Sequence, residues 1–411
     1  MSRRGRTLLR RAAIDVTPLR HIDFRRLWVG NSVAFVGFQL TAVAVPVQVY
    51  ELTGSSFWVG MLGAVGFVPL VIFGLWGGAV ADAVDRRRLL MVSCAVLWAC
   101  TGVLFVHALL GFNSLAVLLG VVAVQAASFA AASSARGAIV PRLLPVELVP
   151  AANTLSFTAG NVGMVLGPLL AALLLSRWSF ALVYAVDAAL FSLVLYAALR
   201  LPALPPLGTT VPPGLRSVLD GLAFIATRPV LLMSFVVDIL AMVLAMPRAL
   251  FPERAEQLGG EGTVGWLFAA LAIGSVLAGL SSGWIGRVRR QGIALVLAVL
   301  AWALAVAFAG FARSLWLTVL LLAVAGAADL VSAVYRQTIL QTYAPDEMRG
   351  RMQGVFIVVV AGGPRLGDLR AGATAASFGI GVSWIGGALL CAALVGFALL
   401  VPSLRKYEAQ R

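Results

Sequence analysis

Arg136-Gly-Ala-Ile-Val-Pro-Arg-Leu-Leu-Pro145-Val-Glu147 is answered further down the chain by Arg336-Gln-Thr-Ile-Leu-Gln-Thr-Tyr-Ala-Pro345-Asp-Glu347. Arg, Ile, Pro and Glu recur at a constant offset of 200 (136→336, 139→339, 145→345, 147→347). The echo continues downstream, where Gly163 and Gly167 align with Gly363 and Gly367. Each copy follows one long apolar run and precedes another. Two similar membrane bundles in one chain read this way, and a binding site then falls between them.

Hydrophobic residues make up 61% of the 411 residues and charged ones 12%, with a mean hydropathy of +0.98. Soluble domains carry about a quarter charged residues, so this composition excludes an ordinary water-soluble globule. A membrane-crossing helix needs about 20 apolar residues, and twelve such runs are read between Leu27 and Val401. They lack the strict alternation of barrel strands, so helices are expected. The fold class is therefore all-α and integral to the membrane: twelve transmembrane helices in two pseudo-symmetric six-helix bundles.

The net charge of +14 follows topology. With both termini on one side, that side gathers the arginines of 3–26, 86–88, 287–290 and 349–351, together with Arg142, Arg200, Arg216, Arg405 and Lys406. The opposite loops hold Arg177, Arg248, Arg254 and Arg313. The positive-inside rule then places both termini in the cytoplasm, and the chain is expected in the inner membrane. Basic loops of this kind meet anionic lipid, and no nucleic-acid partner is expected. The first apolar run is a full span, so no cleaved signal peptide is expected. Cys94, Cys100 and Cys391 lie in apolar runs and imply neither a disulfide framework nor a metal site.

The prolines and glycines between Leu201 and Gly214 separate the halves. A stripe at Leu215, Val218, Leu219, Leu222 and Ile225 predicts a short amphipathic helix after them. The expected organisation is a basic N-terminal tail (1–26), an N-terminal bundle (27–200), a cytoplasmic linker (201–228), a C-terminal bundle (229–402) and a tail (403–411).

Between spans two and three stands Gly77-Gly78-Ala-Val-Ala-Asp82-Ala-Val-Asp85-Arg86-Arg87-Arg88, with a looser copy at Gly283-Trp-Ile-Gly286-Arg287-Val-Arg289-Arg290. Span five contains Gly160-Asn-Val-Gly163-Met-Val-Leu-Gly167-Pro168-Leu-Leu-Ala171-Ala172, whose small residues allow close helix approach. These motifs resemble two signatures of the major facilitator superfamily. One is the loop Gly-x-x-x-Asp-Arg-x-Gly-Arg-Arg, here with alanine at 83 and aspartate at 85. The other is the antiporter motif Gly-x-x-x-Gly-Pro-x-x-Gly-Gly, here ending in two alanines. The resemblance covers about 24–403 and is nearest to the bacterial drug and enterobactin exporters of the proton-antiporter type. Phe24-Arg-Arg-Leu-Trp28, 47–56 and 136–153 carry that nearer likeness. It implies a conformational latch at Gly78, Asp82, Arg86, Arg87 and Arg88, and an antiporter motif at Gly163, Gly167 and Pro168. It also implies that spans one, four, seven and ten line the cavity.

Span eleven holds Gly362-Gly-Pro364-Arg365-Leu-Gly367-Asp368-Leu-Arg370, with Asp368 where the first half has Pro168. Charges in hydrocarbon are costly and belong beside a polar cavity or one another. Arg365 and Asp368 lie about 60° apart around a helix and can pair. The readings are a cavity pair, a structural pair, or a helix broken at Pro364. The remaining cavity candidates are Asn31, Gln39 and Gln125, with Asp238 and Asp329 as proton carriers, because burial favours the protonated carboxyl. Asp187, on a peripheral span, reads as an interhelical hydrogen-bonding group. Trp28, Trp58, Trp178, Trp316 and Trp384 sit near span ends, where membrane-interface anchoring is expected.

Lys406 is the sole lysine, which rules out a phosphate-binding Gly-x-x-x-x-Gly-Lys loop within the chain. The sequence predicts no cofactor, a proton gradient as the energy source, and no enzyme activity. Its partners would be a small-molecule substrate, protons and membrane lipid, with the protein a monomer. The expected function is export of a drug-like compound or siderophore. A lysophospholipid or nutrient carrier on the same scaffold, or a membrane sensor that moves nothing, are the alternatives.

Overall fold

The computed structural model describes residues 16–145, 148–205, 223–280, 285, 288–343 and 349–405. Among them the chain is helical, with turns and no strand. In a bilayer a helix satisfies its own backbone, which an isolated strand cannot. The N-terminal half runs α1 (Ile22–Thr53), α2 (Ser56–Ala83), α3 (Arg86–Leu109), α4 (Leu115–Leu143), α5 (Val149–Arg177) and α6 (Phe180–Arg200). The second half runs α7 (Pro229–Leu244), α8 (Val264–Leu280), α9 (Gln291–Phe311), α10 (Leu315–Tyr343), α11 (Arg349–Gly381) and α12 (Gly387–Ala398), with a short helix Phe251–Leu258 after α7.

Ten stretches among the described residues are long and apolar enough to cross a membrane, against twelve expected. Two features make the difference. Helix α8 has only 17 residues. Helices α11 and α12 run together, with the backbone turning at Gly379 (φ 84°) and a π-helical turn at Val382–Gly386. The amphipathic helix expected over 215–225 lies almost wholly outside the described residues; of its stripe, Ile225 is described and is buried.

The seventh span ends early. Helix α7 stops at Leu244, and the chain turns through a 3-10 segment, Arg248–Leu250. A helix end inside a bundle leaves carbonyls without partners. Arg370 of α11 supplies them: its Nε donates to Val243 O at 3.1 Å, one terminal nitrogen to Leu244 O at 2.6 Å and the other to Ser383 O at 2.9 Å. The mid-span arginine is thus a cap for its neighbours. Arg370→Met is expected to cost about 2 kcal/mol, seen as a lower thermal midpoint in detergent.

The halves meet at one end. A Cβ on Gly60 or Gly63 of α2 would strike the backbone carbonyls of Asp368 or Arg365 of α11, and one on Gly372 would strike Ser56 O. At a second contact between the halves, a Cβ on Gly265 of α8 would strike Pro168 O and Ala172 of α5. Each of these approaches falls in the first part of α2 and α8 and the last part of α11 and α5. Ser56 Oγ also donates to the Glu253 carboxylate, joining the two halves at the same end.

Candidate functional site

A cavity of about 450 Å³ lies between the halves. From the first half Gln39, Thr41 and Gln125 line it, with the rings of Phe35, Phe38 and Phe129; from the second come Arg248, Phe268, Pro364, Arg365 and Asp368. The polar groups come from α1, α4, α11 and the turn after α7. The 362–368 run therefore belongs to a continuous helix with Pro364 inside it, and the broken-helix reading is set aside.

The expected Arg365–Asp368 pair is replaced by another. Arg248 donates to Asp368 Oδ2 at 3.3 Å. The early end of α7 turns Arg248 inward, whereas the sequence pattern had placed it in an outer loop. The Arg365 guanidinium lies instead where a Cβ on Gly66 of α2 would sit. Asp368 Oδ1 has no hydrogen-bond partner among the described residues. The cavity wall therefore combines one cation–anion pair with one further cation.

Asp238 and Asp329 line neither this cavity nor its neighbour. Both face Arg336 of the repeated segment, which pairs with Asp238 and approaches Asp329 Oδ1 at 3.6 Å. Asp238 and Arg336 are buried, so the pair is a brace between α7 and α10. Both acids, expected as proton carriers from their span positions, thus stand beside Arg336 and away from the inter-half cavity. Asp187 has a different setting: its Oδ2 accepts from Thr41 at 2.6 Å and Thr101 at 3.2 Å, and its Oδ1 has no partner. No cation among the described residues lies within ion-pair distance of it. Thr41 also lines the cavity, so this buried carboxyl stands one hydroxyl behind its wall.

The span-five glycines work by contact. Gly163 faces the Phe35 ring at 2.7 Å from where its Cβ would stand, and Gly167 faces Gln39. Pro168 carries the carbonyl against which Gly265 packs. At the loop motif, the backbone of Gly78 and Asp82 belongs to α2, and their surroundings lie outside the described residues. Asp85 caps α3, accepting from Arg87 N at 2.8 Å and Arg88 N at 3.2 Å, and takes Leu204 N at 3.2 Å. The Arg86 amide donates to Leu204 O, and the Arg87 guanidinium to Leu199 O at 2.7 Å. These contacts tie the motif to α6 and the start of the linker, within its own half.

Asn31 stands apart from the inter-half cavity, in a chamber of about 430 Å³ walled wholly by the first half. Phe35, Phe38 and Phe129 line both spaces and stand between them. Trp28 belongs to that chamber, and Trp384 is buried with its N–H on Val306 O at 2.9 Å, so neither is a simple interface anchor. Trp178 and Trp316 are exposed.

Two half-bundles packed at one end, around a cavity carrying charged and amide side chains, define a membrane transporter of the major facilitator fold. The chain belongs to the transmembrane secretion effector family, which it matches over residues 13–411. It is 29% identical over 396 residues to the enterobactin exporter EntS of Shigella boydii, covering 90% of this chain and 91% of that one. EntS of Escherichia coli O81 gives the same identity and coverage. Among solved structures, the nucleoside transporter NupG superposes with a TM-score of 0.72 at 15% identity, over 94% of this chain and 100% of that one. A bacterial homologue of the lysosomal transporter Spinster, inward-facing and unoccupied, gives 0.71 at 16% identity, over 95% and 97%. The structural likeness carries the fold. The protein is a multi-pass membrane transporter and not an enzyme.

Proposed function

We propose that this protein exports a small organic molecule of siderophore type across the bacterial inner membrane by alternating access, in exchange for protons. The observation that carries this reading is the polar cavity between halves that are packed together at one end. The arginine-rich loops support a cytoplasmic assignment for the opposite end, and in that reading the state is closed outward and accepts cargo from inside. The full-length likeness to enterobactin exporters supports the direction and the cargo class. Coupling requires an acid able to take up and release a proton. Asp187 suits it best, because an acid held by arginine keeps its charge, whereas a buried acid without a cation is costly when ionised.

Inverted membrane vesicles containing the protein test this, with enterobactin as the probe. Uptake driven by a preset proton gradient is expected, together with partial collapse of that gradient. Uptake that ignores the gradient removes antiport, and no uptake removes the cargo class. With wild type coupled, Asp187→Asn is expected to retain enterobactin exchange down its own gradient and to lose proton-driven accumulation by tenfold or more. Undiminished accumulation would clear Asp187 of that part.

A further inference from the structure

The constant offset of 200 applies beyond the repeated segment. Asp238, Asp329 and Arg336 of the buried brace correspond to Phe38, Phe129 and Arg136 in the first half. The structure keeps the arrangement and changes its chemistry. Arg136 lies over the Phe129 ring at 5.8 Å, and Phe129 stacks on Phe38 with centroids 5.2 Å apart and planes at 15°. Where one half holds its arginine between two carboxylates, the other holds it against stacked rings. The Arg336 charge is compensated inside the protein. That of Arg136 has no acid within ion-pair distance among the described residues.

Arg136 faces the chamber of the first half, which lies toward the end where α1 and α5 begin. An aromatic face attracts an arginine and leaves its N–H donors free. Other lining groups are also uncommitted. Trp28 keeps an enclosed indole N–H with no acceptor. Asn31, Ser133 and Ser156 make no side-chain hydrogen bond among the described residues. A space of about 430 Å³ is in the range that holds a small ligand. It offers unpaired donors, one uncompensated positive charge and flat apolar rings.

We propose that this chamber is a binding station for a small aromatic organic anion, with Arg136 on the anionic group and the Phe35–Phe38–Phe129 cluster against the ring. The cluster separates this station from the inter-half cavity, where Arg365 is the next cation. Cargo entering from the open end meets the chamber first. The proposal rests on the transport reading only in placing the station on the cargo path; the binding chemistry stands without it.

Benzoate is the test probe, with benzyl alcohol as its uncharged match and inorganic phosphate as an anion without a ring. Full-length protein in detergent is followed by thermal unfolding. At about ten times its dissociation constant, benzoate is expected to raise the midpoint by about 2 °C, and the other two compounds to leave it unchanged. Arg136→Gln is expected to abolish the shift and Arg136→Lys to restore part of it. Gly160→Leu is the second variant. Its Cβ would meet nothing within 4 Å, so the added side chain starts in open space at the chamber wall, and the shift should again vanish. A benzoate shift that persists in folded Gly160→Leu or Arg136→Gln protein would overturn the station. So would an equal shift with phosphate, or none in wild type. Vesicle transport of enterobactin reports separately on the transport reading.

Discussion

Replacing Arg336 by methionine is expected to be among the most destabilising single changes in the protein. Its side chain is 7% exposed and pairs with an Asp238 side chain that is 3% exposed, while Asp329 approaches from 3.6 Å. Removing one partner of a buried pair leaves the other charge unsolvated, at about 3–5 kcal/mol. The loss should appear as low yield in the membrane and a thermal midpoint lowered by roughly 5 °C. The double variant Arg336→Met with Asp238→Leu tests the cause. If the cost is the orphaned carboxylate, the second change should recover most of the stability, because an apolar pair of similar volume replaces the ionic one. A double variant no better than the single one would mean that Arg336 acts by packing. Transport should follow stability in both proteins, since the brace lies outside the cavity. The corresponding change Arg136→Met removes no ion pair and should cost far less stability.

That contrast shows what the sequence made legible. The two halves and their helical nature were visible because apolar runs and an offset repeat are local, one-dimensional signals. The ion pairs were not. Arg336 and Asp329 lie seven residues apart, two turns along one helix face, and that spacing was the available signal. Asp238 lies on another helix, and nothing in the spacing joins it to Arg336. The distribution of arginines puts Arg248 at the outer end of a span read through Leu250, whereas the helix stops at Leu244 and turns that arginine toward Asp368. The pairing of Arg365 with Asp368 follows from helix geometry alone. It gave way because a third helix presents Gly66, leaving room for the Arg365 guanidinium. Asp187 gathers donors from α1 and α3 onto α6, a three-helix junction that periodicity along one helix does not reveal.

Asp368→Asn is expected to lower transport about tenfold or more while leaving the fold intact. Arg248 is 45% exposed on its side chain, so its pair with Asp368 lies partly in water and adds little stability, of the order of 1 kcal/mol or less. Its value lies in position. The Asp368 carbonyl is where a Cβ on Gly60 of α2 would strike, so this residue stands at the seam that must open when the halves rock. Its side chain lines the cavity beside Arg365. Losing the carboxylate leaves two uncompensated arginines in the wall. A mobile anion would be held there, and the balance between open states would shift toward whichever solvates the arginines better. Exchanging the pair, Arg248→Asp with Asp368→Arg, separates the two effects. It keeps an ion pair and should restore the thermal midpoint, yet it puts two arginines one turn apart on α11 and should leave transport low. Recovery of both would make the pair structural only. Full enterobactin transport by Asp368→Asn alone would remove the carboxylate from the transport cycle, and the conformational balance would then rest on the glycine contacts of α2 with α11 and of α5 with α8.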